Sequence, residues 1–395
     1  MQSAFLRNAL VIGMLSAIGP FAIDMYLPAF PAIARELQVD VSAVQMSLMS
    51  FFAAVAVCQI IYGPLSDRFG RKPPLYVGLT LFVLGGIGCS FAQNAEMLIA
   101  FRFLQGVGSC ATMVIPRAII RDLHTGHEAA RLMATTMLVF SVSPILAPLA
   151  GSALAEFFSW RVIFWAIAII GVGGLAVVLF LLPETRKAEE GKKGVAQAFG
   201  TYKSLLKDKH FLGLAFIGGF SQASFFAYLA GSSVIFIEHF GLTPSAYSMV
   251  FASNAIAFIG SAQFNSFFMR RFGAERVVRT AIAGFAGLVC LLFVLTVAGV
   301  DNPFVLWGLL FLSFGCLGYV IPSTAVLALE NHGAIAGTAS ALMGTLQLST
   351  GAVMIVLVSA FYNGTPLSMV TTIVVCGIVA FTLSLRTLKP QPRYP

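Results

Sequence analysis

Apolar runs of about 20 residues recur from end to end of this chain, each long enough to cross the hydrocarbon layer of a bilayer as a helix. Short polar clusters separate them. Reading the runs against those clusters predicts twelve spans, at 7–29, 42–65, 75–92, 97–117, 132–155, 161–182, 210–231, 246–269, 278–298, 303–328, 334–358 and 365–386. The first run is too long for a cleaved signal peptide, contains an acid and precedes further spans. The expected fold is therefore all-α and membrane-embedded.

The longest polar stretch, rich in Lys and Glu, lies between residues 183 and 209 and is too polar to span. It divides the chain into an N-terminal six-helix half (1–182), a cytoplasmic linker (183–209) and a C-terminal six-helix half (210–395). A short echo supports duplication: Arg68-Phe69-Gly70 follows the second span and Arg271-Phe272-Gly273 follows the eighth. Two such repeats imply pseudo-symmetric halves with a solute pathway between them.

Composition agrees with this pattern: 58% of residues are hydrophobic and 10% charged, against roughly 25% charged in a soluble domain. The net charge of +8 is explained by topology and requires no nucleic-acid partner. With both termini inside, Arg35 and Arg161 fall outside, Arg102 falls within a span, and the other basic residues lie on the cytoplasmic side. Trp160 and Trp307 sit near outer span ends, where indole rings favour the headgroup layer. The six cysteines lie in apolar runs and read as small buried hydrophobes.

Two charges sit where lipid penalises them. Asp24 lies in an apolar helix between Pro20 and Pro28, each of which removes a backbone donor and leaves that stretch irregular. Arg102, in the fourth span, is its expected partner, directly or through a water, since each residue falls about five positions, or roughly 7 Å, below the outer end of its predicted helix. Burial disfavours the carboxylate and a nearby guanidinium favours it, so a rearrangement would let Asp24 take or release a proton. Arg stays charged throughout. The alternative is a fixed ion pair that only orders the N-terminal half.

The loop after the second span reads Gly63-Pro64-Leu65-Ser66-Asp67-Arg68-Phe69-Gly70-Arg71-Lys72-Pro73-Pro74-Leu75. It resembles, position by position, the G-x-L-x-D-R-x-G-R-K-x-x-L signature of the major facilitator superfamily. Leu98-x-x-x-Arg102-x-x-Gln105-Gly106-x-Gly108 is similar to the fourth-helix motif of proton-coupled members. Further stretches are similar to the Bcr/CflA drug-resistance subfamily: Asp24-Met25-Tyr26-Leu27-Pro28, Arg121-Asp122, Ser159-Trp160-Arg161, Leu182-Pro183-Glu184-Thr185 and Gly333-x-x-Ala336-Gly337-Thr338-Ala339. The resemblance implies a twelve-span drug:proton antiporter of a bacterial inner membrane, exporting phenicols, bicyclomycin-like or other amphipathic solutes, and working as a monomer among membrane lipids. It also implies an inner latch in which Asp67 meets the second half and Arg71 meets Asp122, with Gly63, Arg68 and Gly70 shaping the loop. One departure is Ala147, which stands where the fifth-helix antiporter motif has its second glycine; Pro144, Pro148 and Gly151 remain.

A central cavity would be lined by Phe21, Tyr26, Gln105, Met113 and Phe140 from the first half, and by Phe225, Tyr228, Asn254 and Gln347 from the second. Phe21 and Gln105 each share a helix face with one of the buried charges. Aromatics with few fixed polar groups suit amphipathic solutes of varied shape. No P-loop, cofactor motif or metal-ligand spacing emerges, so the expected solute is a small drug-like molecule driven by protons. The rival readings are a proton symporter or facilitator importing a nutrient, and a polytopic membrane enzyme or sensor.

Overall fold

Among the described residues every regular element is helical, as lipid demands of a chain whose backbone polar groups must satisfy one another. The computed structural model describes residues 2–124, 126–185, 195–332 and 335–388. Of the residues singled out above, Gly333 and residues 186–194 of the polar stretch lie outside it, as does the side chain of Phe140.

The N-terminal helices are α1 (Gln2–Asp24), α2 (Phe30–Leu37), α3 (Val41–Phe69), α4 (Lys72–Ser90), α5 (Ala95–Leu123), α6 (Gly126–Phe157) and α7 (Trp160–Phe180). A short helix, α8 (Val195–Leu205), occupies the linker and buries Tyr202 and Leu205. The C-terminal helices are α9 (Lys209–Val234), α10 (Pro244–Phe272), α11 (Ala274–Val297), α12 (Pro303–Glu330), α13 (Ala336–Ala360) and α14 (Leu367–Thr387). Eleven segments among the described residues are long and apolar enough to cross a membrane. The remaining long helix, α10, has 29 residues but carries Asn254, Gln263 and Asn265, which lower its hydropathy.

The chain forms two compact units, Met1–Ala198 with Gly241–Ala252, and Phe199–Phe240 with Ser253–Pro395. Within the first, α1 packs on α5, α6 and α7, and α4 packs on α5 and α7. Within the second, α9 packs on α12, α13 and α14, and α11 packs on α12 and α14. Counted by span, these are the same five pairings, so the sequence echo marks a repeated packing scheme. The backbone repeats as well. Gly70 and Gly273 end their helices at φ 88° and φ 81°, a left-handed conformation that glycine alone adopts without strain.

Two expectations need correction. The first span does not end near residue 29: a 3-10 turn (Leu27–Ala29) follows α1 and the apolar chain runs on through α2 to Leu37. Trp160 faces protein and not lipid. It is 2% exposed, packs edge-on against Phe164 and donates from its indole nitrogen to Glu36 at 2.7 Å.

Candidate functional site

The site in the first unit is built on the break in α1. Pro28 cannot donate to the carbonyl of Asp24, so the helical ladder stops there. The amide of Met25 still reaches Phe21 O at 3.1 Å, and that of Ala29 turns back to Tyr26 O at 3.0 Å. α6 presses directly on this break: a Cβ added to Gly151 would stand 1.7 Å from the carbonyl oxygen of Met25. Asp24 is thus held at the end of α1, 6% exposed, and its carboxylate makes no hydrogen bond or ion pair among the described residues.

Arg102 projects from α5 and is fully buried. Its Nη1 donates to the carbonyl oxygen of Ala22 at 3.1 Å and to Oε1 of Gln105 at 2.6 Å. The guanidinium carbon lies 4.3 Å from the Tyr26 ring centroid and 4.4 Å from that of Phe51, distances at which a desolvated cation gains from the ring quadrupoles. Nε and Nη2 have no hydrogen-bond partner among the described residues. A direct Asp24–Arg102 ion pair is therefore absent among the described residues. The two residues do lie at one level, since the guanidinium meets Ala22 and Tyr26 on either side of Asp24. Arg102 bonds the backbone of α1 two residues before the acid.

Glycines bring these rings together. A Cβ on Gly106 would lie 2.5 Å from Phe51 O, and one on Gly108 would lie 2.3 Å from Gly78 O. Without side chains at these positions α3 and α4 can both reach α5, and Phe51 reaches Arg102. Phe51 had no distinguishing signal in the sequence; it is one phenylalanine among 36.

The other expected lining residues fall into separate settings. Tyr26 is fully buried, wedged beside Phe30 and Phe164 with its hydroxyl 3.4 Å from Ser47 Oγ. Gln105 is also fully buried, and its Nε2 has no partner among the described residues. Phe21 and Met113 are half-buried, and Met113 lies against Gly19 of α1. In the second unit, Asn254 Nδ2 donates to the Tyr228 hydroxyl at 3.0 Å. Phe225 stacks on Phe258 with centroids 5.9 Å apart and meets Phe314 edge-on at 5.5 Å. Gln347 reaches towards Gly218 and Thr324, and its buried Nε2 has no partner among the described residues.

The loop from α3 to α4 carries a polar network centred on Arg71, whose side chain is 2% exposed. Its Nε and Nη2 donate to Asp122 at 2.7 and 3.1 Å, and its Nη1 donates to Asp67 and Ser66 at 2.8 Å each. Such fork-on-carboxylate geometry is the strong form of a charge-assisted bond. Arg68 is exposed beside the Phe69 ring, and Gly63 has open space around it. Glu184, just past α7, completes the network. Its two oxygens accept the backbone amides of Arg71 and Lys72 at 2.8 and 2.9 Å, satisfying donors that the helix start leaves free. Thr185 adds a hydrogen bond to Asp122 at 3.2 Å.

Residues 12–355 match the signature of the Major Facilitator Superfamily. The chain belongs to that superfamily. As a member it is a secondary transporter that crosses the membrane many times, not an enzyme. It is 35% identical over 357 residues to YdgK of Bacillus subtilis, described as an uncharacterized MFS-type transporter, covering 88% of this chain and 87% of that one. A bicyclomycin resistance protein homolog of Haemophilus influenzae is 32% identical, with 97% of each chain covered. The multidrug resistance protein MdtL of Escherichia coli is 26% identical, with 94% and 93% covered. A solved bacterial homolog of the human lysosomal transporter Spinster shares the fold at a TM-score of 0.67 and 17% identity, covering 98% of this chain and 97% of that one. In the transporter, Ala147, where the related antiporter motif has glycine, is fully buried in α6.

Proposed function

We propose that this transporter exports small amphipathic compounds in exchange for protons, with Asp24 carrying the proton. The observation that carries the reading is the buried carboxyl at the break of α1, which bonds to nothing among the described residues. A carboxyl that ties no helices together has no structural task, and its ionised form is costly at this depth. Such a group exchanges its proton when hydration or a neighbouring charge changes. Arg102 supplies that charge. It is anchored two residues away on the Ala22 carbonyl, with two nitrogens unbonded among the described residues.

In the proposed cycle the solute enters from the cytoplasm and displaces the proton from Asp24. The protein then opens outward by alternating access, releases the solute and reprotonates. The half-buried Phe21 and Met113 of the first unit and, separately, the half-buried Phe225 of the second each offer apolar surface to such a solute. The names of the resistance-protein relatives support a drug-like solute, with phenicols and bicyclomycin-like compounds as first candidates. The Arg71–Asp122–Asp67 network acts as an inner gate element.

The test is solute-induced proton release from purified protein in detergent. The wild type releases protons on adding a transported drug, and Asp24→Asn does not. Release that persists in the variant removes Asp24 from the mechanism. Inverted vesicles set the direction: an imposed proton gradient loads drug into them if the protein is an exporter, and leaves them empty if it is an importer.

A further inference from the structure

The repeated loop of the second unit differs from the first in its charges. Aligning Arg271-Phe272-Gly273 with Arg68-Phe69-Gly70 places Arg270 where the first loop has Asp67, and Ala274 where it has Arg71. The first loop is electrically closed: Arg71 is held by Asp67 and Asp122, and Glu184 occupies the amides at the start of α4. The second loop is open. Arg270 and Arg271 end α10, Arg276 and Arg279 lie one turn apart at the start of α11, and Glu275 is the only acid between residues 244 and 300. Among the described residues none of these four arginines forms an ion pair or side-chain hydrogen bond; Arg271 only lies over the Phe272 ring. Arg270, Arg271 and Arg276 are exposed and Arg279 is half-buried.

The same hairpin exposes large apolar side chains. Phe272 is 44% exposed, Phe267 51% and Phe264 61%. Phe264 and Phe267 precede Arg270 by one to two helical turns, so they sit roughly 5–10 Å deeper along α10. An occupant that meets both levels must carry a negative head and an apolar tail. A nucleic acid or an acidic peptide fits the arginines and leaves the phenylalanines without a partner.

We propose that the α10–α11 turn is a docking site for an anionic phospholipid. Its phosphodiester lies among Arg270, Arg276 and Arg279, and its acyl chain runs along Phe264 and Phe267. In the first unit the carboxylate of Glu184 stands at the equivalent helix start, which shows the sign of charge this turn geometry accepts.

The experiment compares the binding of fluorescent phosphatidylglycerol and phosphatidylcholine to the full-length transporter in mixed micelles. Phosphatidylglycerol binds more tightly to the wild type. At about fivefold per basic charge near the surface, the Arg270→Gln, Arg276→Gln, Arg279→Gln triple variant weakens it on the order of a hundredfold. A control triple, Lys203→Gln, Lys207→Gln, Lys209→Gln, removes the same charge from exposed lysines around the start of α9 and has a much smaller effect. If the arginine triple misfolds, Arg276→Gln alone gives the fivefold loss. Equal binding of the two lipids, equal loss in both triples, or full competition by millimolar inorganic phosphate would each overturn the site.

Discussion

Arg102 donates to the carbonyl oxygen of Ala22 and not to the carboxylate of Asp24, two residues further along the same helix. The cation is secured by the backbone of α1, Gln105 and two aromatic faces, whereas the acid is secured by nothing among the described residues. A fixed ion pair would stabilise both charges and resist titration. Separating them leaves the acid free to change its ionisation while the arginine stays put.

That division of labour predicts different outcomes at the two positions. Arg102→Lys keeps the charge but loses the planar fork and the stacking on Tyr26 and Phe51. The loss of a desolvated cation–π contact costs about 2 kcal/mol, read as a lowered Tm in detergent together with impaired transport. Asp24→Asn removes no contact, so its Tm stays at or above the wild-type value while proton coupling is lost. An Asp24→Asn protein that unfolds markedly earlier would show that the acid has a structural partner after all.

The Arg71 network predicts strong coupling between the α3–α4 loop and the end of α5. Asp122→Asn leaves a guanidinium that is 2% exposed with a neutral partner on its best-aligned side. A double-mutant cycle of Asp122→Asn with Arg71→Met is expected to give an interaction of about 1–3 kcal/mol by thermal or denaturant unfolding. Glu184→Gln should cost less, because one amide oxygen can still accept from one of the two backbone donors. Additive effects of Asp122→Asn and Arg71→Met would mean that the contact adds no stability.

Much of this was legible in the sequence, and the reasons for the rest are physical. Apolar runs located the spans because lipid fixes their length, and Gly70 and Gly273 advertised a repeated turn because only glycine is comfortable there. The end of the first span differs for the same reason: the run to residue 29 already fills the expected length before Arg35 and Glu36, whereas the chain turns at Leu27–Ala29 and continues through α2. Glu184 was visible only as part of a motif. Its partners are the backbone amides of Arg71 and Lys72, which carry no side-chain signature, more than 100 residues away. The setting of Arg102 depended on Phe51, and its place beside the cation follows from the glycines of α5.

A pH effect independent of transport is expected at the start of α9. Burial by itself would raise the Asp208 carboxyl, but the amides of Phe211 and His210 and the adjacent His332 hold it below the usual carboxylate range. A depressed folded-state value means that Asp208 stabilises the protein above its unfolded-state value, and that this contribution disappears as pH falls through the folded-state value. Asp208→Asn, which preserves a good helix cap, should therefore lower Tm near neutral pH and leave it unchanged in strong acid. Tm curves of wild type and variant that stay parallel down to acid pH would exclude this carboxyl as the source.

Gly151 offers the sharpest steric prediction, because its neighbour cannot move cheaply. A methyl group there would overlap the Met25 carbonyl oxygen, with the carbonyl carbon at 2.6 Å and the Cα at 3.0 Å. All three atoms are backbone, fixed by the turn into Leu27–Ala29. Gly151→Ala must push α6 away from the break in α1, at an expected cost of about 3 kcal/mol or more, the upper end for overpacked cores. Gly173 of α7 provides the control, since nothing lies within 4 Å of its added Cβ. Gly173→Ala should be neutral or stabilise by about 0.5–1 kcal/mol through helix propensity. Because α6 bears on the residue next to Asp24, Gly151→Ala should also disturb drug-induced proton release in any protein that still folds. Equal Tm values for the two alanine variants would show that α1 and α6 do not meet this closely.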